Sequence, residues 1–270
     1  MFSFTTFASL FAIAATTVRG AAIAPRSDNI ADLVGQLRLA PTEVDRLRLL
    51  SDEDLIFDFN ARQAGDVGVT TGAAGHTVEG NSGNFPAVIG QGVSMTIGYL
   101  GPCGLNTPHT HPRATEINFS VNTTLQAGFL EENGAAFRTV DIPAGSAAVF
   151  PQGAIHFEFN PTCEDAMFVA AFNNENAGVQ SIGQRYFGLP PDIVGASLGG
   201  LGVVEIQGLN DAIPDNIAYG LDECLSRCGL SRDGQPTAEL QPRVTGNAFP
   251  NTTQTATSAS PSPSMGAGSD

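Results

Sequence analysis

From Leu55 onward the apolar residues stop recurring every three or four positions and instead alternate, or run together, in segments of only a few residues. Val93–Tyr99, Glu116–Val121, Ala147–Phe150, Ile155–Phe159 and Ala166–Phe172 are segments of this kind, rich in β-branched and aromatic residues and separated by Gly, Pro and Asn. Alternation sends successive side chains to opposite faces of a strand, so each segment presents one apolar face. The 31 Gly and 17 Pro supply the turns between them. The core is therefore read as all-β.

Helical periodicity frames this core. Asp28–Leu39 and Thr42–Leu50 read as two short helices around Pro41, with Ile30, Leu33, Val34 and Leu37, then Val44, Leu47 and Leu50, at helical spacing. After Leu189-Pro190-Pro191 helical character returns, and Asp215–Cys228 reads as the clearest helix, with Gly229 as its stop. The first 20 residues form an apolar stretch ending in Val18-Arg19-Gly20, read as a cleaved secretory signal. The last, 245–270, is rich in Ser, Thr, Pro and Gly and reads as a disordered tail with no hydrophobic end for a lipid anchor. The expected organisation is a signal (1–20), an N-terminal helical arm (21–57), a β domain (58–199), a C-terminal helical segment (200–235) and the tail.

A net charge of −15 argues against nucleic acid and anionic membrane surfaces, which would be repelled over the whole molecule. No later segment is long and apolar enough to span a membrane.

Three of the four histidines fall in two Gly- and Pro-bracketed segments: Gly104 to Glu116, holding His109 and His111, and Gly145 to Asn160, holding Pro151, Gly153 and His156. His109 and His111, at i and i+2, share one face of a strand, and Glu116 follows a Pro-containing turn that can bring its carboxylate alongside. His156 completes the set from another strand. Three imidazoles with one carboxylate suit a first-row divalent cation, and on an octahedral ion leave two positions for water, oxygen or substrate. If Glu116 and His156 face inward, alternation also points Asn118, Ser120, Glu158 and Asn160 inward and Ile117, Phe119, Phe157 and Phe159 outward. Outward aromatics need a cover, either the helices or a second copy of the chain.

Four cysteines in a secreted chain are read as two disulfides, for which three connectivities exist. If Thr110 faces His156 across antiparallel strands with no bulge between, Cys103 faces Cys163 and the two can bridge, leaving Cys224 and Cys228 as a local pair. A free pair of buried thiols is the alternative. Among the glycosylation sequons, Asn118-Phe119-Ser120 faces inward, whereas Asn122-Thr123-Thr124 lies at a turn and Asn251-Thr252-Thr253 in the tail, so Asn122 and Asn251 are the expected acceptors.

The two histidine segments resemble the paired motifs of the cupin superfamily, and most nearly its germin-like and spherulin-like branch. The resemblance rests on Gly104, His109, His111 and Glu116, on Gly145, Pro151, Gly153, His156 and Asn160, and on the flanking Pro112-Arg113-Ala114-Thr115-Glu116-Ile117 and Phe172-Asn173. It implies a single jelly-roll β-barrel with flanking N- and C-terminal helices, Mn2+ held by His109, His111, Glu116 and His156, and a secreted homo-oligomer, in germins a trimer of dimers. Iron or another first-row metal is the alternative occupant.

Of the two asparagines that germins with oxalate oxidase activity place beside the metal, one aligns with Asn106 and the other with Thr96. Thr123 stands where the first motif expects Gly, and Glu158 where germins usually carry Gln, making it a candidate proton acceptor beside the metal ligands. Asn118 is a second such neighbour. The expected function is an extracellular manganese enzyme working by redox chemistry on a small oxygen-rich molecule, superoxide or an acid such as oxalate. Its rivals are a structural or storage protein of a spore, cyst or cell wall, and a non-catalytic sugar or small-ligand binding module.

Overall fold

A computed structural model describes residues 29–237. The signal, the tail and Asn251 lie outside the described residues. Two short helices, α1 (Ile30–Leu39) and α2 (Glu43–Leu49), come first, followed by ten strands: β1 (Val69–Gly72), β2 (Gly75–Gly80), β3 (Ser94–Leu100), β4 (Gly104–Thr110), β5 (Glu116–Ser120), β6 (Leu125–Leu130), β7 (Arg138–Ile142), β8 (Ala147–Phe150), β9 (Ile155–Phe159) and β10 (Ala166–Phe172). The chain continues through β11 (Gln180–Ser181), α3 (Ile182–Tyr186), α4 (Pro191–Ser197), α5 (Val203–Asn210), β12 (Ala218–Tyr219) and α6 (Asp222–Cys228).

The strands form two antiparallel sheets. One runs β1-β2-β3-β10-β5-β8, the other β11-β4-β9-β6-β7 with β12 also on β4. Their inner faces share one core in which Leu100, Phe150, Phe168 and Phe172 of the first meet Leu125, Ala127 and Ile142 of the second. The sequence placed the five quoted strands to within one or two residues, because each alternates over a half-buried face.

N-terminal capping sets the arm. Asn29 and Thr42 accept hydrogen bonds from backbone amides of the first turns of α1 and α2. Leu33, Leu37 and Leu49 then pack on Ile89, which ties the arm to the loop after β2.

Two expectations fail, the first through the register between β4 and β9. His156 pairs with His109, not with Thr110, and the register slips by one residue before Asn106 meets Glu158. The extra residue lies at Thr107-Pro108, where Pro108 has no N–H to give the ladder and stands exposed. The pairing of His109 with His156 alone puts Cys103 out of line with Cys163, and the slip moves it one residue further. Cys103, in a left-handed conformation (φ 57°), instead bridges Cys224, and Cys163 bridges Cys228. The Cys103–Cys163 and Cys224–Cys228 pairings are thereby both corrected.

The second failure is the helix expected over Asp215–Cys228. Only Asp222–Cys228 is helical; Ala218 and Tyr219 pair with Leu105 and Gly104, and Ile217 is buried in the main core. Burial of Ile217 and edge pairing with β4 outweigh the weak helical preference of this stretch. Helix α6 then covers Phe159 with Cys103, Cys224 and Leu225, which supplies the cover that this outward aromatic needed.

Among the described residues no such cover lies over the outer face of the first sheet. Cross-strand rows run Ile97–Val169–Phe119 and Ala171–Ile117–Val149, and Ile117, Phe119 and Val149 are 50%, 40% and 55% exposed.

The bridges join residues 121 and 65 positions apart, so each removes much freedom from the unfolded chain. The double substitution Cys103→Ser/Cys224→Ser is expected to cost about 2–5 kcal/mol of stability. Equilibrium urea unfolding of the oxidised protein reads this directly.

Candidate metal centre

His109 and His111 come from the end of β4 and just beyond it, Glu116 from the first residue of β5, and His156 from β9. All four are buried, and one ligand atom from each lies within 4.8 Å of every other. The carboxylate oxygen Oε2 of Glu116 lies 2.9 Å from His111 Nε2 and 3.2 Å from His156 Nε2. The site stands on aromatic rings: Phe150 stacks on His156 at 4.7 Å, and Phe172 lies 4.5 Å from His111.

Backbone carbonyls fix the tautomers. The Nδ1 atom of His109 is 2.8 Å from Thr107 O, that of His111 2.6 Å from Gly178 O, and that of His156 2.9 Å from Ala154 O. A carbonyl only accepts, so each Nδ1 must donate, and on a neutral ring this leaves the lone pair on Nε2. With all three rings neutral, three such lone pairs and a carboxylate converge in a buried space, a donor set that fits a divalent cation; without the ion, a proton on Nε2 is what lets an imidazole donate to Glu116 Oε2.

The carbonyl of Gly178 is placed by a turn with φ +70°, and a Cβ there would meet the Arg113 guanidinium at 2.5 Å. Arg113 in turn donates to Asn176, and Thr115 N–H donates to Asn173, so the quoted flanking motif is a clamp on this loop.

The electrostatics follow from burial and proximity. Burial, with the nearby His156 and His111, pushes the His109 pKa down to about 3, so the ring stays neutral and ready to ligate. For His111, burial opposes the charged form, but the hydrogen bond and charge of Glu116 outweigh it and the pKa lies above its ordinary value. Burial likewise works against ionised Glu116, yet the His111 and His156 hydrogen bonds hold its carboxyl far below the ordinary range.

Glu158 behaves in the opposite way. It is fully buried, and burial together with the charge of Glu116 pushes its pKa well above the carboxylate range. The neutral form of this side chain is therefore favoured in the metal-free protein.

Asn106 donates from Nδ2 to Glu158 Oε2 at 2.8 Å, and Asn118 donates to Glu116 Oε1 at 2.9 Å and Glu158 Oε1 at 3.2 Å. The amide of Asn106, which the resemblance places beside the metal, is used at both ends, since its Oδ1 accepts from Asn216. The Oδ1 of Asn118 is buried without a hydrogen-bond partner.

Thr96 lies in the same inner row as Ala170 and Asn118, with Glu79 opposite it on β2. Glu79, whose charge also raises His111, was missed, as was Asn216; neither sits in a recognisable motif. The fourth histidine, His76, stacks on Tyr99 away from the site. At the predicted glycosylation position, Asn122 is exposed, but its side chain donates to Asp165 O and accepts from Met167 N–H.

Comparison with known proteins agrees with this geometry. The cupin family profile matches residues 59–199. The chain is a cupin. Spherulin-1A of Physarum polycephalum is 50% identical over 207 residues, 77% of this chain and 83% of that protein. Putative germin-like protein 3-2 of Oryza sativa subsp. japonica is 38% identical over 193 residues, 70% of this chain and 85% of the relative. Among solved structures, a recombinant oxalate oxidase in complex with glycolate superposes with a TM-score of 0.53 at 26% identity, covering 60% of this chain and 82% of the oxidase. These similarities place the chain in the spherulin-like branch of the germin-like cupins.

Because the folded pKa of Glu158 lies above the unfolded value, its neutral form costs nothing at acid pH, and stability is lost as pH rises from the ordinary carboxylate range toward the folded pKa. In the metal-free protein Glu158→Gln is thus expected to have little effect at pH 4 and to stabilise the fold at pH 7. Thermal unfolding at the two pH values tests the sign.

Proposed function

We propose that this cupin is a secreted manganese protein that acts by redox chemistry on a small oxygen-rich molecule, with superoxide as the favoured substrate. The observation carrying this reading is the convergence of three tautomer-locked imidazoles and Glu116 within 4.8 Å in a buried space. His109, His111, Glu116 and His156 would hold the ion, and manganese there supplies one-electron chemistry between its 2+ and 3+ states.

The chain's own residues supply the rest. Dismutation of two superoxide ions consumes two protons and yields dioxygen and hydrogen peroxide. Glu158 carries a proton at a carboxyl whose oxygens are held by Asn106 and Asn118, beside Glu116. Oxidation of a dicarboxylate is less well served, because the Asn106 amide is occupied and Thr96 offers no amide. Secretion is supported by the two disulfides, which persist in oxidising compartments.

The protein purified from its own source should contain manganese by elemental analysis and remove superoxide, releasing little hydrogen peroxide from oxalate. His111→Ala should abolish the activity and Glu158→Gln should lower its rate. Fully metallated protein inactive in both assays, with a melting temperature that depends on the metal, would instead favour the structural or storage reading. That second reading draws on the 50% identity to Spherulin-1A, which exceeds the identity to the germin-like relative.

The uncovered face of the first sheet supports self-association. Its rows carry no charge, so no charged partner is favoured, and a second copy meeting it about a two-fold axis would match apolar surface with apolar surface. Phe119→Glu is expected to shift the protein to a smaller species in light scattering while leaving metal content unchanged.

A further inference from the structure

One side chain reaches the metal centre from outside the barrel motifs. Asn216 lies beyond residue 199, where the family match ends, in the stretch leading into β12. Burial of Ile217 in the core and the pairing of Ala218 with Leu105 fix where this stretch crosses β4. It crosses at the bulge. The slip in register takes Thr107 N–H out of the ladder with β9, and Asn216 Oδ1 accepts that N–H at 2.8 Å.

An amide has one accepting and one donating end, and this sets a direction. Since Thr107 N–H can only donate, the Oδ1 of Asn216 must face it, and Nδ2 is turned to Asn106 Oδ1, 2.6 Å away. With its oxygen so engaged, Asn106 must turn Nδ2 to Glu158 Oε2. The other oxygen of Glu158 receives Asn118 Nδ2, which also donates to Glu116 Oε1 and leaves Oε2 facing His111 and His156. The orientation of a backbone N–H is thus relayed through four side chains to a ligand carboxylate.

We propose that Asn216 is a positioning residue of the metal centre, fixing the Asn106 amide and through it Glu158 and Glu116; this rests on the reading of His109, His111, Glu116 and His156 as metal ligands. The competing explanation is that Asn216 only glues the C-terminal stretch to the barrel. Gln184 does that without entering the relay, its Nε2 donating to Pro214 O at 2.8 Å.

The full-length oxidised protein is therefore compared as wild type, Asn216→Ala, Asn216→Asp and Gln184→Ala. Mn2+ affinity is read by calorimetry, the bound ion by electron paramagnetic resonance, and the side-chain amides of the metal-free protein by 15N NMR. Asn216→Asp keeps the acceptor for Thr107 N–H but cannot donate to Asn106, so it provides a folded variant should Asn216→Ala not fold.

Expected are a loss of about 10- to 100-fold in Mn2+ affinity for the Asn216 variants, an altered resonance spectrum and a displaced Asn106 amide signal. Gln184→Ala should match wild type in all three. Wild-type affinity and spectrum in both Asn216 variants, or the same changes in Gln184→Ala, would overturn the proposal. If the wild type binds no metal, the ligand reading falls, and the relay is judged by the Asn106 amide signal alone: its persistence in Asn216→Asp would refute it.

Discussion

The bulge at Thr107-Pro108 is the constraint on which the rest of the site depends. In an unbroken strand Asn106 and His109, three residues apart, would face opposite sides of the sheet. One extra residue turns both inward, so β4 lines the metal centre along its length and not only at its end. The same slip moves Cys103 further out of line with Cys163 and leaves Thr107 N–H to Asn216. A proline without an N–H in the middle of a strand therefore shapes the ligand set, the disulfide pattern and the docking of the C-terminal segment.

The buried polar groups are arranged around that strand so that each charge has a partner. Hydrogen bonds from His111 and His156 hold the Glu116 carboxyl far below the ordinary range, while burial first, and then the charge of Glu116, pushes that of Glu158 well above it. Two carboxyl groups with oppositely shifted pKa values are joined by the Asn118 amide. Asn106 donates to Glu158 while its own oxygen is held by Asn216, whereas Asn118 donates to both carboxylates and its oxygen has no partner. In a buried network of this kind, removing one member exposes the rest to an uncompensated burial cost.

Much of the fold was legible in the chain. The five quoted strands follow from alternation, the two N-terminal helices from apolar residues at helical spacing, and the candidate ligand cluster from spacing that places His109 and His111 on one face. The inward set of Asn118, Ser120, Glu158 and Asn160 followed from the same periodicity, and all four are fully buried. The errors cluster where periodicity carries no information. Pro108 was the visible sign of the bulge, but the register it produces depends on what β9 offers opposite it. Asp215–Cys228 has helical spacing, yet its first half is drawn out because Ile217 finds a place in the core.

What the sequence determined by itself is therefore local: strand faces, helix caps, and the residue types able to bind a divalent cation, all properties of neighbours along the chain. Only the tertiary structure decided which cysteines meet, which way the Asn106 amide points, and that Asn216, from beyond the residues of the family match, hydrogen-bonds to it. Those outcomes depend on contacts between residues more than 60 positions apart, as in the 121-residue span of the Cys103–Cys224 bridge and the 65-residue span of its neighbour. A shift of one residue in register exchanges the partners of such contacts while leaving the local hydrophobic pattern almost unchanged.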